Sequence, residues 1–156
     1  MRKIIFLDVD GVLNDLQVLS TREELGTHHL QNLKMLVAAT KCDIVLSSSW
    51  RILDDWKVTL QTAFAEHDIP LWISETPSIR KEDFSITPRS EEIIQWLENN
   101  CEEAVVIVLD DESDANIKNH NLPGVKDKFI HTSMNNGLTV DHVNEAIEFF
   151  KNNCTL

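Results

Sequence analysis

KIIFLDVDGVLN, residues Lys3 to Asn14, decides how the rest of the chain is read. Ile4, Ile5, Phe6 and Leu7 are an unbroken apolar run, the mark of a strand covered on both faces in a parallel sheet. The run stops at Asp8, and Asp10 follows with one residue between. Gly11 then allows a sharp turn that a residue with a Cβ would resist. Acids in this position are either solvated loop carboxylates or ligand-binding groups. Open α/β sheets bind ligands at the C-terminal ends of their strands, which is where Asp8 and Asp10 stand.

Two more apolar runs end in the same way. Asp43-Ile44-Val45-Leu46 leads into Ser47-Ser48-Ser49-Trp50-Arg51, and Ala104 to Leu109 leads into Asp110, Asp111 and, after Glu112 and Ser113, Asp114. Between the runs, Leu30, Leu33, Met35, Leu36 and Val37 predict a helix over about 28–40. Leu53, Trp56, Leu60, Ala63 and Phe64 predict another over about 51–66, with Trp56 in its core. Ile69 to Ile73 reads as a third strand beginning near Pro70, and 74–87 as the longest loop. Thr87-Pro88 followed by Glu91 and Glu92 predicts a helix start with Thr87 as its cap. A last strand is expected around 128–131, and Val140, Val143, Ala146, Ile147 and Phe150 predict a closing helix behind Thr139. Strands alternating with helices imply a parallel sheet with right-handed crossovers, so the three polar strand ends converge on one edge.

Composition narrows the classes. With 156 residues, 42% hydrophobic and 26% charged, the chain suits one well-cored globular domain over 1–156. No apolar stretch approaches a membrane span, and the apolar segment after Met1 ends at Asp8, too soon for a secretory leader; the expectation is a cytoplasmic protein. A net charge of -12 repels long polyanions, so no extended nucleic-acid surface is expected. Cys42, Cys101 and Cys154 offer neither a disulfide framework nor a metal knuckle, and Cys42 is expected in the core. Adjacent His28 and His29 point in different directions on a helix and have no Cys or His partner nearby, which argues against a metal there. His131 and His142 read as structural or surface residues.

Arg89 is the odd member of its helix start, because a cation in the first turn opposes the helix dipole and therefore suggests a partner anion. Arg51 contacts either phosphate or solvent. Asp8, Asp10 and Asp111 in one small space would raise one another's pKa or require a cation, and an all-oxygen site suits magnesium better than zinc.

DVDGVLN, LSSSWR, RSEEI and VIVLDDESD together resemble the four motifs of the haloacid dehalogenase (HAD) superfamily of phosphohydrolases, and more narrowly the small HAD domains associated with RNA repair proteins. The resemblance implies a three-layer α/β/α Rossmann-like fold, here as a single domain without a full cap. It implies Asp8 as a nucleophile that becomes phosphorylated and Asp10 as general acid and base, the mark of a phosphatase within that superfamily. Ser47 matches the second-motif hydroxyl, and Arg89 the third-motif cation with Lys81 in reserve; Ser48 and Arg51 would join them in gripping substrate. Magnesium would be held by Asp8, the Asp10 carbonyl and Asp111, with Asp110 as the competing or additional ligand. A minimal, open site suits a large or protruding phosphorylated substrate, such as a nucleic-acid end, a nucleotide or a phosphoprotein.

Overall fold

The computed structural model describes residues 1–79 and 87–154. β1 (Arg2–Leu7) is followed by α1 (Leu16–Ser20), α2 (Thr27–Thr40), β2 (Asp43–Leu46), α3 (Asp54–Glu66), β3 (Ser74–Glu75), α4 (Arg89–Asn100), β4 (Ala104–Asp110), β5 (Val125–His131) and α5 (Val140–Asn153). Among the described residues these strands make one five-stranded sheet in the order β3-β2-β1-β4-β5. Every neighbouring pair is parallel. β1 thus lies at the centre, with β2 and β4, the other two apolar runs, on its flanks.

Alternation along the strands sorts the core into two layers. Ile5 and Leu7 pack with residues of α2, α3 and α5 on one face. Ile4 and Phe6 pack with Val45, Val106, Val108 and the α4 residues Ile93, Trp96 and Leu97 on the other. The result is the expected three-layer α/β/α arrangement. The same alternation carries past the strand ends: Asp8 continues the Ile4-Phe6 series, Ser47 follows Val45, and Asp110 follows Val106 and Val108. All three belong to the α4 side. α4 is fixed there by Trp96, whose ring stands edge-on to Phe6 at 5.5 Å and whose Nε1 donates to Ser74 Oγ at 2.8 Å.

Several boundaries differ from expectation, each for a local reason. The third strand is Ser74–Glu75, not 69–73; Ile69 and Trp72 plug the core beneath the sheet edge, and pairing with β2 begins only as the chain reaches Ser74. Residues 49–51 form a 3₁₀ turn before α3, and Ser48 caps it by accepting from Trp50 N at 3.1 Å. That turn swings Trp56 outward, so it is 40% exposed and not core. Pro88, not Thr87, precedes the first turn of α4. Cys42 is buried as expected. Thr139 opens α5 in a capping box completed by His142, which gives that histidine a structural role.

Candidate active site at the ends of three parallel strands

The register brings the three strand ends level. Leu7 pairs with Leu46 on one side and Leu109 on the other, so the residues that follow, Asp8, Ser47 and Asp110, emerge side by side. Main-chain bonds extend the alignment beyond the strands, from Asp8 N to Leu109 O and from Ser47 N to Leu7 O, each 3.0 Å. Asp8, Asp110 and Asp111 each present a carboxylate oxygen within 4.8 Å of the others. Gly11 makes this approach possible. Its φ is +76°, and a Cβ there would lie 2.6 Å from Cγ and Oδ2 of Asp111, a separation no side chain tolerates.

Burial without a compensating cation is unfavourable for such a cluster, and the carboxyls respond. Burial pushes Asp8 up to about 6, against the pull of Arg89. Burial, reinforced by the charge of Asp8, pushes Asp110 up to about 7. Asp111, half-buried and hydrogen-bonded to Asp8, is raised as well, mainly by burial. Arg89 is the counter-charge. Standing first in α4, its Nη1 lies 3.2 Å from Asp8 Oδ2 and 2.7 Å from Asp110 Oδ2. The dipole penalty at that helix end is therefore offset by two anions. Glu92, one turn further along α4, is bonded to Arg51. Lys81 lies outside the described residues.

Asp110 and Asp111 differ in what their oxygens already do. Asp110 is fully buried, one oxygen on Arg89 and the other accepting from Glu112 N at 2.9 Å. Asp111 is nearer the solvent, and its main-chain oxygen is bonded to the ring of His131 at 2.8 Å. Ser47 is fully buried, and its hydroxyl has no hydrogen-bond partner among the described residues. A buried, unpaired hydroxyl beside carboxylates is unfavourable unless a ligand takes it up.

A family model for the HAD domain in Swiss Army Knife RNA repair proteins matches residues 4–143. The chain belongs to that family. No curated protein and no solved structure matches it significantly. The match runs from Ile4 within β1 of the HAD domain to Val143 in α5, so the converging strand ends fall inside it.

One expected substrate contact of the HAD domain is otherwise engaged. Arg51 is buried, and its five donors go to protein acceptors: Nε to Thr76 O at 2.9 Å, Nη1 to Ser47 O at 3.1 Å and Ser48 O at 2.7 Å, Nη2 to Pro77 O at 3.2 Å and Glu92 Oε2 at 3.1 Å. A guanidinium has five N–H groups, so none remains for a phosphate; Arg51 ties the second-motif loop to the chain after β3. The Ser48 hydroxyl caps its turn by accepting from Trp50 N, which leaves its hydrogen to donate. Asp10 stands apart from the acidic cluster, exposed at the mouth. Asn14 Nδ2 donates to its Oδ1 at 2.9 Å, and Trp50 Nε1 lies 3.3 Å from both its oxygens.

Asn14 and Trp50 were missed in the sequence. Asn14 had a readable signal, four residues after Asp10 in a turn, where a side-chain amide can reach back. Its Oδ1 also accepts from Gly11 N at 2.9 Å, so it braces the whole acidic turn. Trp50 had no signal beyond its place in LSSSWR.

Proposed function

We propose that this domain is a magnesium-dependent phosphomonoesterase acting through a phosphorylated Asp8. The observation that carries the reading is one grouping: three carboxylates within 4.8 Å, Arg89 on two of them, and the unpaired hydroxyl of Ser47 at the adjoining strand end. The donor set fits the ion, since it is all oxygen, hard and anionic, and its raised carboxyl pKa values mark a place where positive charge is wanted. Asp8, Asp111 and the Asp10 carbonyl would hold magnesium with Asp110 behind them, and the ion when bound would neutralise the acids and the phosphoryl oxygens that approach them.

The chain's own groups then carry the reaction. Asp8 attacks phosphorus as the bond to the leaving oxygen breaks, and Asp10 gives that oxygen its proton. Asp10 next takes a proton from water, whose oxygen attacks phosphorus and releases Asp8. Asn14 and Trp50 hold Asp10 in line for both transfers. Arg89 and Ser47 grip the equatorial oxygens through donors that are already in place. Trp56, exposed beside Trp50 with ring centroids 5.9 Å apart, leaves an aromatic surface next to Asp10 for the leaving group. That surface, the uncapped site and the family's association with RNA repair proteins favour a terminal phosphate on a nucleic-acid end, gripped locally, since the net charge of -12 disfavours a long footprint.

The test is Asp8→Asn, assayed in magnesium against a generic phosphomonoester, nucleotides, phosphopeptides and 3′- or 5′-phosphorylated oligonucleotides. Loss of at least roughly a thousandfold in kcat is expected, the scale on which a nucleophile acts. Equal rates for the variant and the native protein would remove the nucleophile assignment. Binding of magnesium and phosphate with no turnover on the whole panel would instead make this a silent phosphate-binding domain.

A further inference from the structure

The adjacent histidines, set aside in the sequence for want of a partner, have one in Asp15. His28 and His29 lie at the start of α2 with their rings 3.8 Å apart. Both turn Nε2 toward the same oxygen: Asp15 Oδ2 is 2.8 Å from His29 Nε2 and 3.7 Å from His28 Nε2. All three ligand atoms lie within 4.8 Å of one another, and none belongs to the acidic cluster at the strand ends.

The hydrogen bonding around His29 sharpens the case. Its Nδ1 is 3.0 Å from Leu138 O. A carbonyl only accepts, so a hydrogen sits on Nδ1, and Nε2 is the ring atom left to a ligand. That atom lies 2.8 Å from a carboxylate oxygen, and the contact needs a positive species between the two. A shared proton is one solution and a metal ion the other. His28, 3.7 Å from the same Asp15 oxygen, completes a ligand set. A ring N–H donated to a backbone carbonyl is also the usual brace of a metal-binding histidine.

The site is built to hold the buried ring. Gly137 packs directly on it, and a Cβ there would stand 2.5 Å from His29 Cε1. The other oxygen of Asp15 is committed, accepting from Val18 N at 2.8 Å as the cap of α1, which leaves Oδ2 for a ligand. Zinc bonds of about 2.0–2.1 Å in a tetrahedron set ligand atoms roughly 3.3 Å apart, between the two Asp15–histidine distances. The His28 side chain is 61% exposed, so it can rotate to close the gap, and an ion has its way in from that side.

We infer that Asp15, His28 and His29 form a second metal site that takes a borderline transition ion of the zinc class on two imidazoles and one carboxylate, with a fourth position open. Mixed nitrogen and oxygen donors select such an ion over magnesium. Bound there, it would clamp α1, the start of α2 and the chain entering α5.

The experiment titrates the full chain with cobalt(II), a visible probe for zinc sites, in saturating magnesium so that the acidic cluster is filled. One equivalent should bind with the intense visible bands of tetrahedral cobalt, zinc should displace it, and the thermal midpoint should rise. His28→Ala, a change at an exposed side chain, should weaken binding at least roughly tenfold. Asp15→Asn, which still caps α1, should do the same, whereas Asp111→Asn should bind as the native chain does. Failure of the native chain to bind cobalt in this form would leave a proton-bridged Asp15–His29 strut and overturn the site. Binding unchanged in both His28→Ala and Asp15→Asn, or lost in Asp111→Asn, would overturn it equally.

Discussion

Arg51 and Arg89 flank the same strand ends, and both were credible phosphate ligands in the sequence. Their surroundings separate them. Arg51 is enclosed, with four of its five hydrogen bonds ending on backbone carbonyls and the fifth on Glu92. Arg89 heads a helix, and among the described residues its side-chain acceptors are two carboxylates of the acidic cluster, both on Nη1. A cation serves chemistry when its donors are left for a ligand and serves the fold when protein acceptors use them all. The residue type does not decide this; the supply of nearby acceptors does.

Breaking Arg51 should produce the largest change in stability. Arg51→Met leaves Glu92 buried without its cation and removes the side-chain donor from four carbonyls, a loss of about 3 to 5 kcal/mol for a buried pair of this kind. At about 2–4 °C per kcal/mol in a chain of this size, the thermal midpoint should fall by roughly 6 to 20 °C. Activity per folded molecule should stay near native at low temperature. A midpoint unchanged with turnover abolished would reverse the assignment and make Arg51 a substrate ligand.

Arg89→Met tests the other half. Removing a preorganised cation from transferring oxygens typically lowers kcat by about 10² to 10³, and Arg89→Lys should recover only part, because a point charge cannot reproduce the fork. The fold should survive, since the side chain is partly solvated and packs against acids that can protonate when it goes. Steady-state kinetics alongside a melting curve separate the two arginines in one pair of experiments.

This contrast also marks what was legible. Apolar runs identified β1, β2 and β4, and their alternation with helices brought their polar ends to one edge; that Asp8 shares a face with Ser47 and Asp110 follows from the register of the strands. Arg89 was legible because its charge opposed a helix end. Arg51 was not, because the carbonyls that claim it come from Thr76 and Pro77, brought close only by the pairing of β3 with β2. The spacing of Trp56 fits the buried side of a helix begun at Arg51; the intervening 3₁₀ turn shifts the phase and leaves it 40% exposed. Asp15 is not legible as a partner for the histidines because it lies in the preceding loop, outside any motif of Cys and His spacing.

The acids around Arg89 should also make the metal-free protein sensitive to pH in a direction opposite to ordinary salt-bridged carboxylates. Asp8 and Asp110 are raised above the unfolded value of 3.8, to about 6 and about 7. The folded state therefore holds protons that the unfolded chain releases, and stability falls as pH rises through that window. Melting in a chelator should give a midpoint that drops by roughly a few degrees between about pH 5 and pH 8. Saturating magnesium should flatten the curve. An upward slope in the chelator would mean that Arg89 already compensates the acids fully.

The smallest change concerns Ser47 and sets function against stability at one atom. Its buried hydroxyl has no partner among the described residues, so Ser47→Ala removes an unsatisfied polar group and should raise the midpoint, by about 1 kcal/mol or a few degrees. If the same hydroxyl meets a phosphoryl oxygen during turnover, losing that bond should lower kcat by roughly tenfold, the worth of one good hydrogen bond to a charged group. The opposite signs are the point. A core serine would lose stability or stay neutral and leave kcat alone, and a merely damaged fold would lose both. Only a hydroxyl kept unpaired for a ligand becomes more stable and slower when it is deleted.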